Sequence, residues 1–258
     1  VAAEVLVVVP TLGQRLDFLA LTLRSIREQD VAADIVVVVP TGRAEARALA
    51  REHGAVVVDD PGSQTAAINV GVALASPGCA YVNWIGDDDL LTPGSLSATV
   101  GALARDPAAV VAYGACQYID DAGRPLWVSR AGRWAERILS WGPDLIPQPG
   151  MLVRRSAWDA VGGVDESLRF AFDLDLLLRL RRSGGFVDVG SVVSAFRWHP
   201  DSLTVSDRTA SLDESERVKR RYLSPTARRL AWSWEGPVRL ATRMAAREVT
   251  RRARRLSA

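Results

Sequence analysis

The chain has 258 residues, of which 48% are hydrophobic and 24% charged. This suits one large α/β domain with a substantial core and argues against disorder. No apolar run approaches the about 18 residues of a membrane span, and no secretory signal is read before Val1. The net charge of +2 hides a segregation: residues 1–199 carry 18 Arg and 23 acids, whereas residues 200–258 carry 14 basic residues and 7 acids. The chain as a whole is not strongly basic and carries no nucleic-acid motif, so nucleic acid is not an expected partner. Cys79 and Cys116 lie in apolar surroundings without metal-ligand spacing, which fits a reducing, cytoplasmic setting.

Taken in order, the first half alternates short apolar strands with helical stretches. Glu4–Val9 predicts a strand ended by Pro10-Thr11, and helix-period residues follow at Leu16, Leu19, Leu23 and Ile26. Ile35–Val39 is the second strand, Ala44–Glu52 a helix, Val56–Val58 a third strand and Thr65–Leu74 a helix. Ala80–Ile85 is the fourth strand, and it delivers Asp87-Asp88-Asp89 to a loop. Apolar strands alternating with helices imply a mostly parallel sheet covered on both faces. Ligands of such sheets gather outside the carboxyl ends of the strands, so the loops after Val9, Val39, Val58 and Ile85 should line one rim.

Pro93-Gly94 introduces a helix over Ser95–Ala104, and Val110–Tyr113 and Cys116–Ile119 predict two strands before the turn Asp120-Asp121-Ala122-Gly123. Residues 124–150, with Trp127, Trp134 and Trp141 among four prolines, suggest an irregular aromatic insertion beside a cleft. Those tryptophans and Gln148 serve either packing or a binding surface beside that cleft. Helices follow at about Ser156–Val161 and Asp173–Arg182, and strands at Phe186–Val189 and Val192–Trp198. The domain division expected is 1–105 and 106–205 for two halves of one α/β unit, then a helical basic extension over 206–258. In that extension Arg239, Arg243, Arg247 and Arg251 recur every four residues, behind Trp232, Trp234 and a break at Gly236-Pro237. Such a helix lies peripherally on an anionic membrane, stands as a solvated tail, or packs on the acidic first domain.

Three carboxylates at one loop tip raise each other's pKa unless a cation or donors offset them. Oxygen ligands in an open loop suit Mg²⁺ or Mn²⁺ with room left for phosphate oxygens, and a solvated acidic turn is the alternative.

Several motifs stand in one order: Gln64-Thr65-Ala66-Ala67-Ile68-Asn69, Trp84-Ile85-Gly86-Asp87-Asp88-Asp89, Ile146-Pro147-Gln148-Pro149-Gly150, Val161-Gly162-Gly163, Asp173-Leu174-Asp175 and Phe196-Arg197-Trp198-His199. Together, from about Val5 to Thr204, they resemble the bacterial family 2 glycosyltransferases of GT-A fold. The resemblance implies a Rossmann-like sheet and metal-dependent, inverting transfer from a nucleoside-diphosphate sugar, with UDP or dTDP as carrier. The acceptor would be a glycan or lipid-linked hydroxyl, in bacterial surface polysaccharide or glycoconjugate synthesis. It implies donor contacts from Pro10, Thr11, Leu12, Asp60, Gln64, Asn69, Asp87 and Asp88. Asp89, Asp87 and His199 would hold Mn²⁺ or Mg²⁺, Asp173 would be the catalytic base, and Gln148, Gly150, Met151 and Asp175 would face the acceptor.

Each assignment has a plainer rival: Asp173 as a first-turn acid, Asp175 as an i,i+4 partner of Arg179, His199 as an edge histidine. Two positions depart from the family pattern. The loop Val39-Pro40-Thr41-Gly42-Arg43 lacks the acid that recognises uracil, leaving Asp59, Asp60 or backbone groups for that contact. Phe172 replaces the Glu that often precedes the base. A retaining transferase, or a catalytically silent partner subunit on the same fold, therefore stays open.

Overall fold

In the computed structural model, residues 3–130, 132, 134–198 and 208–257 are described. The first half builds as its pattern dictates. Strands β1 (Val5–Pro10), β2 (Ala33–Val39), β3 (Val56–Asp59) and β4 (Tyr81–Trp84) alternate with helices α1 (Leu16–Arg27), α2 (Ala44–Glu52) and α3 (Gln64–Ala73). They pair in parallel in the order β3-β2-β1-β4. The strand order reverses beside β1, because β2 and β3 lie on one side of it and β4 on the other. A crevice opens where the connections diverge, at the carboxyl ends of β1 and β4.

The second half continues the same sheet. It comprises β5 (Leu90–Leu91), α4 (Ser95–Arg105), β6 (Ala109–Ile119), β7 (Pro125–Ser129), α5 (Ala135–Ile138), β8 (Leu152–Arg154), α6 (Arg155–Val161), α7 (Phe172–Leu180) and β9 (Gly185–Arg197). The full order is β3-β2-β1-β4-β8-β6-β9-β5, with β7 beside β6. Short β8 runs antiparallel to both β4 and β6, which restores the common direction, and β9 is parallel to β6. The long strands thus end on one rim, and only β5, β7 and β8 run against them.

Alternate residues of β1 feed two cores. Val5, Val7 and Val9 meet α1, α2 and α4, while Leu6 and Val8 meet α3, α6 and α7. A sheet apolar on both faces needs this double cover, which is why its strands are near-continuous valine runs. The approach of α3 is close: a Cβ on Gly71 would stand 2.4 Å from Val8 Cγ1.

Three local expectations are corrected. The two strands expected over 110–119 are one, with Gly114 at a register shift where a Cβ would meet the Ser191 carbonyl oxygen at 2.5 Å. The pair expected over 186–198 is likewise one strand that bulges at Gly190. Residues 124–150 are not irregular throughout, because they hold β7 and α5.

After residue 206 come α8 (Arg208–Tyr222), α9 (Pro225–Leu230) and α10 (Trp232–Ser257). Gly236-Pro237 does not break α10. Pro237 lies inside the helix, as its sixth residue, and forgoes the amide bond to the Ser233 carbonyl without ending the helix. Val218 of α8 is fully buried in the core shared with α7, and Arg239 of α10 pairs with Asp213 and Glu216 of α8 at 2.7 and 2.6 Å.

Candidate active site

The loops after β1 and β4 meet at the crevice. Thr11 donates its hydroxyl to Asp87 Oδ2, and its own Oγ1 accepts the Gly13 N–H at 2.9 Å. Arg15, at the start of α1, lies 3.2 Å from Asp88 Oδ2 and 3.7 Å from Asp87 Oδ1. Asp89 is only 4% exposed. Its Oδ1 accepts the backbone N–H of Arg197 at 2.9 Å, and its carbonyl accepts the Thr22 hydroxyl at 2.8 Å.

Arg197 is itself 2% exposed. Its guanidinium donates to the carbonyls of Asp88, Asp120 and Asp121, each at 3.0 Å, and covers the Phe18 ring with its carbon 4.3 Å from the centroid. One arginine at the end of β9 therefore ties the β4 loop to the β6–β7 turn. Burial, then Asp88 and Asp87, pushes the Asp89 carboxyl well above the ordinary carboxylate range. Burial also raises Asp87, against the lowering effect of Thr11.

These acids fit a divalent cation in one respect and not in another. Buried carboxylates forced upward in pKa are relieved by a neighbouring cation, and they supply the hard oxygens Mg²⁺ and Mn²⁺ take. Among the described residues, however, no group of three His, Cys, Asp or Glu is arranged to hold a metal. His199, expected to join these acids, lies outside the described residues.

The remaining expected donor residues divide. Pro10 and exposed Leu12 flank Thr11 on the rim. Asp60 accepts the Gly62 N–H at 2.9 Å in the loop after β3, and Asp59 is held by Arg47 at 2.7 Å. Gln64 is exposed at the start of α3. Asn69 is turned elsewhere: its amide donates to the Val164 carbonyl and Glu166 Oε1, and its Oδ1 accepts the Val164 N–H. It bolts α3 to the segment after α6, which spends the groups that donor contact would need.

On the acceptor side, Gln148 donates to the Trp84 carbonyl and so lies against the end of β4. Gly150 and Met151 are core positions rather than contact surface. A Cβ on Gly150 would meet Val193 Cγ2 at 2.4 Å, and Met151 is 1% exposed. Asp175 is turned inward: it is 2% exposed and bonded to Arg179 Nε at 2.7 Å and to the Tyr222 hydroxyl at 2.7 Å.

Asp173 sits in the first turn of α7 and is half-buried. Its Oδ1 accepts the Leu174 N–H at 2.8 Å. Burial, then Asp144 and Glu214, raises its carboxyl to about 7. Phe172 packs on Trp84 with centroids 6.5 Å apart, which brings the start of α7 against the strand that carries the acids.

Five residues that sequence reasoning passed over build the site: Arg15, Thr22, Asn83, Arg197 and Glu214. Asn83 carries a signal in hindsight, as an amide inside an apolar strand. It is 1% exposed, and its Nδ2 donates to the Pro149 and Met151 carbonyls, which pins the 148–151 loop to β4.

A parallel α/β half continued by a mixed half in one sheet is the architecture of the GT-A glycosyltransferases. Residues 6–158 match glycosyl transferase family 2, and the chain belongs to that family. Among solved structures, TarS 1–349 of S. aureus in complex with UDP-GlcNAc superposes with a TM-score of 0.65 at 15% identity, over 85% of this chain and 65% of that one. The mannosyltransferase PcManGT of Pyrobaculum calidifontis, in complex with GDP-Man and Mn²⁺, gives 0.67 at 19% identity, over 95% and 75%. At such identities the likeness is one of fold. This chain spans just under two-thirds of TarS 1–349 and 42% of a longer TarS structure. Comparison with curated proteins gave no match.

The bonding of Asp175 generates a prediction. Asp175→Asn should cost about 3 kcal/mol in urea unfolding, because it strips charge from a buried pair, and should leave nucleotide binding unchanged. Lost turnover at full stability would instead return Asp175 to the acceptor side.

Proposed function

We propose that this protein is a metal-dependent, inverting glycosyltransferase that moves a sugar from a nucleoside diphosphate to an acceptor hydroxyl. The observation that carries this reading is geometric: buried Asp89 follows β4 in the acidic loop, and Phe172, next to Asp173 at the start of α7, packs on Trp84 of that strand. Burial raises both carboxyls, that of Asp173 to about 7. A general base works best when its pKa lies near the working pH.

In this reading Asp89, with Asp87, would hold Mn²⁺ or Mg²⁺, which would supply positive charge against the charge growing on the departing diphosphate. Pro10, Thr11, Leu12, Asp60, Gln64, Asp87 and Asp88 frame the donor. Asp173 accepts the proton of the acceptor hydroxyl as its oxygen bonds to the anomeric carbon. The sugar–phosphate bond breaks, the nucleoside diphosphate leaves with the electron pair, and attack opposite the leaving group inverts the centre. The diphosphates of uridine and thymidine are the first carriers to try. Glycan or lipid-linked hydroxyls of a bacterial surface polysaccharide or glycoconjugate pathway are the acceptors.

The C-terminal helix adds a second element to this reading. Trp232, Leu240 and Met244 are 74%, 59% and 60% exposed on α10, and Arg243 and Arg247 beside Met244 are exposed as well. No helix among the described residues is long and apolar enough to cross a membrane. A face mixing tryptophan, aliphatic residues and arginine suits the surface of an anionic bilayer, where lipid-linked acceptors reside.

Calorimetric titration of uridine, thymidine, guanosine and cytidine diphosphates should show binding of one nucleotide that requires Mn²⁺ and is lost in Asp89→Ala. Failure of all four to bind sinks the nucleotide-sugar reading. With the donor so identified, kcat/KM should rise with pH to a plateau, its acid limb centred near about 7, because Asp173 must be deprotonated to act. Asp173→Asn should lower kcat by about a hundredfold to ten-thousandfold and abolish that limb. Retained activity, or product of unchanged anomeric configuration, would favour the retaining alternative. Vesicles containing phosphatidylglycerol should sediment the protein, neutral vesicles should not, and the double substitution Arg243→Glu with Arg247→Glu should release it. Equal sedimentation of the double variant would refute the membrane face.

A further inference from the structure

Helix α8 lies outside the span 6–158 that matches the family, yet it reaches the candidate base. Glu214, Val218 and Tyr222 recur every four residues and face one way. Val218 is fully buried, and Tyr222 donates to Asp175. Glu214 Oε2 accepts three successive backbone N–H groups: Arg169 at 3.1 Å, Phe170 at 2.5 Å and Ala171 at 2.8 Å.

These donors immediately precede α7, whose N-cap residue, Ala171, makes no side-chain capping bond. A helix start leaves its amide groups without intrahelical partners, and consecutive N–H groups converging on one point form a nest for an anion. Glu214 fills that nest from more than 40 residues away and is 7% exposed. Asp173 is the second residue beyond it. Whatever fixes the 169–171 backbone fixes the direction in which Asp173 is presented.

We propose that Glu214 is a positioning residue for Asp173: its carboxylate clamps the 169–171 backbone, and the C-terminal helical segment thereby belongs to the catalytic apparatus. The role rests on the reading of Asp173 as the base. It differs from simple capping, because Glu214 also sets the field at Asp173. The charged groups facing Asp173 are Asp144, from the loop before β8, and Glu214, from α8; Lys219 faces Asp144. Both acids oppose ionisation of Asp173.

The test uses the whole chain and two variants. Glu214→Gln keeps the shape and removes the charge. Glu214→Asp keeps the charge and withdraws it by one methylene. The ¹³C carboxyl titration of Asp173, assigned by its loss in Asp173→Asn, needs no substrate. It should move to lower pH in Glu214→Gln, since a like charge has gone, and change least in Glu214→Asp. Amide exchange at 169–171 should quicken in both. Turnover with the donor found by titration should fall about tenfold in kcat, with the donor KM unchanged, as expected of a misaligned base.

If folded Glu214→Gln leaves both the Asp173 titration and kcat as in wild type, the proposal is overturned. Should that variant not fold, Glu214→Asp decides: normal exchange at 169–171 and normal kcat overturn the proposal. If Asp173→Asn retains full activity while Glu214→Gln still shifts the Asp173 titration, the base reading has failed and the clamp on Asp173 stands.

Discussion

Three adjacent carboxylates at the end of one strand are the constraint on which this structure turns. Like charges in a low-dielectric crevice repel strongly, and a fold that gathers them must supply compensation. Here Arg15 meets Asp87 and Asp88 from one side, while Arg197 comes up from β9 to bond the loop backbone. Arg197 is buried to a degree unusual for a charged side chain, and it tolerates this through three carbonyls and the face of Phe18. Compensation stays incomplete at Asp89, whose carboxyl remains raised.

The two halves of the domain are joined by polar pins as well as by the shared sheet. Asn83 and Gln148 fasten the 148–151 loop to β4, and Asn69 fastens α3 to the segment beyond α6. Hydrogen bonds of this kind contribute only modestly to net stability, but breaking one leaves a buried group unsatisfied. Their effect is registry. They fix where the second half stands relative to the acidic loop, while the apolar contact of Phe172 with Trp84 sets how closely α7 approaches it.

Much of the fold was legible in the sequence. Valine runs broken by Pro10, Pro40 and Gly86 announced the first four strands within a residue or two, because a strand covered on both faces has no polar alternation to blur its ends. The long strands β6 and β9 were read as pairs, since Gly114 and Gly190 look like breaks although each marks an irregularity inside one strand. Pro237 misled in the same way. Of the candidate site, the order of motifs puts Thr11 and the acidic loop after β1 and β4, and the structure brings Thr11 and Asp87 together. Asn69, Gly150, Met151 and Asp175 could not be placed in this way, because motif order says which residues come near a site but not which way each side chain turns.

What the sequence by itself determined was local: where apolar strands end, which helices follow, and that three acids fall at the carboxyl end of β4. Periodicity and residue chemistry act over a few neighbours, so a sequence carries them openly. What only the tertiary structure decided was which distant groups compensate and aim those acids. Arg197 lies 108 residues from the Asp89 carboxylate its backbone serves, and Glu214 lies 43 residues from Ala171. Such pairings depend on strand order and on the docking of α8, and nothing in the spacing of either residue from its own neighbours encodes them.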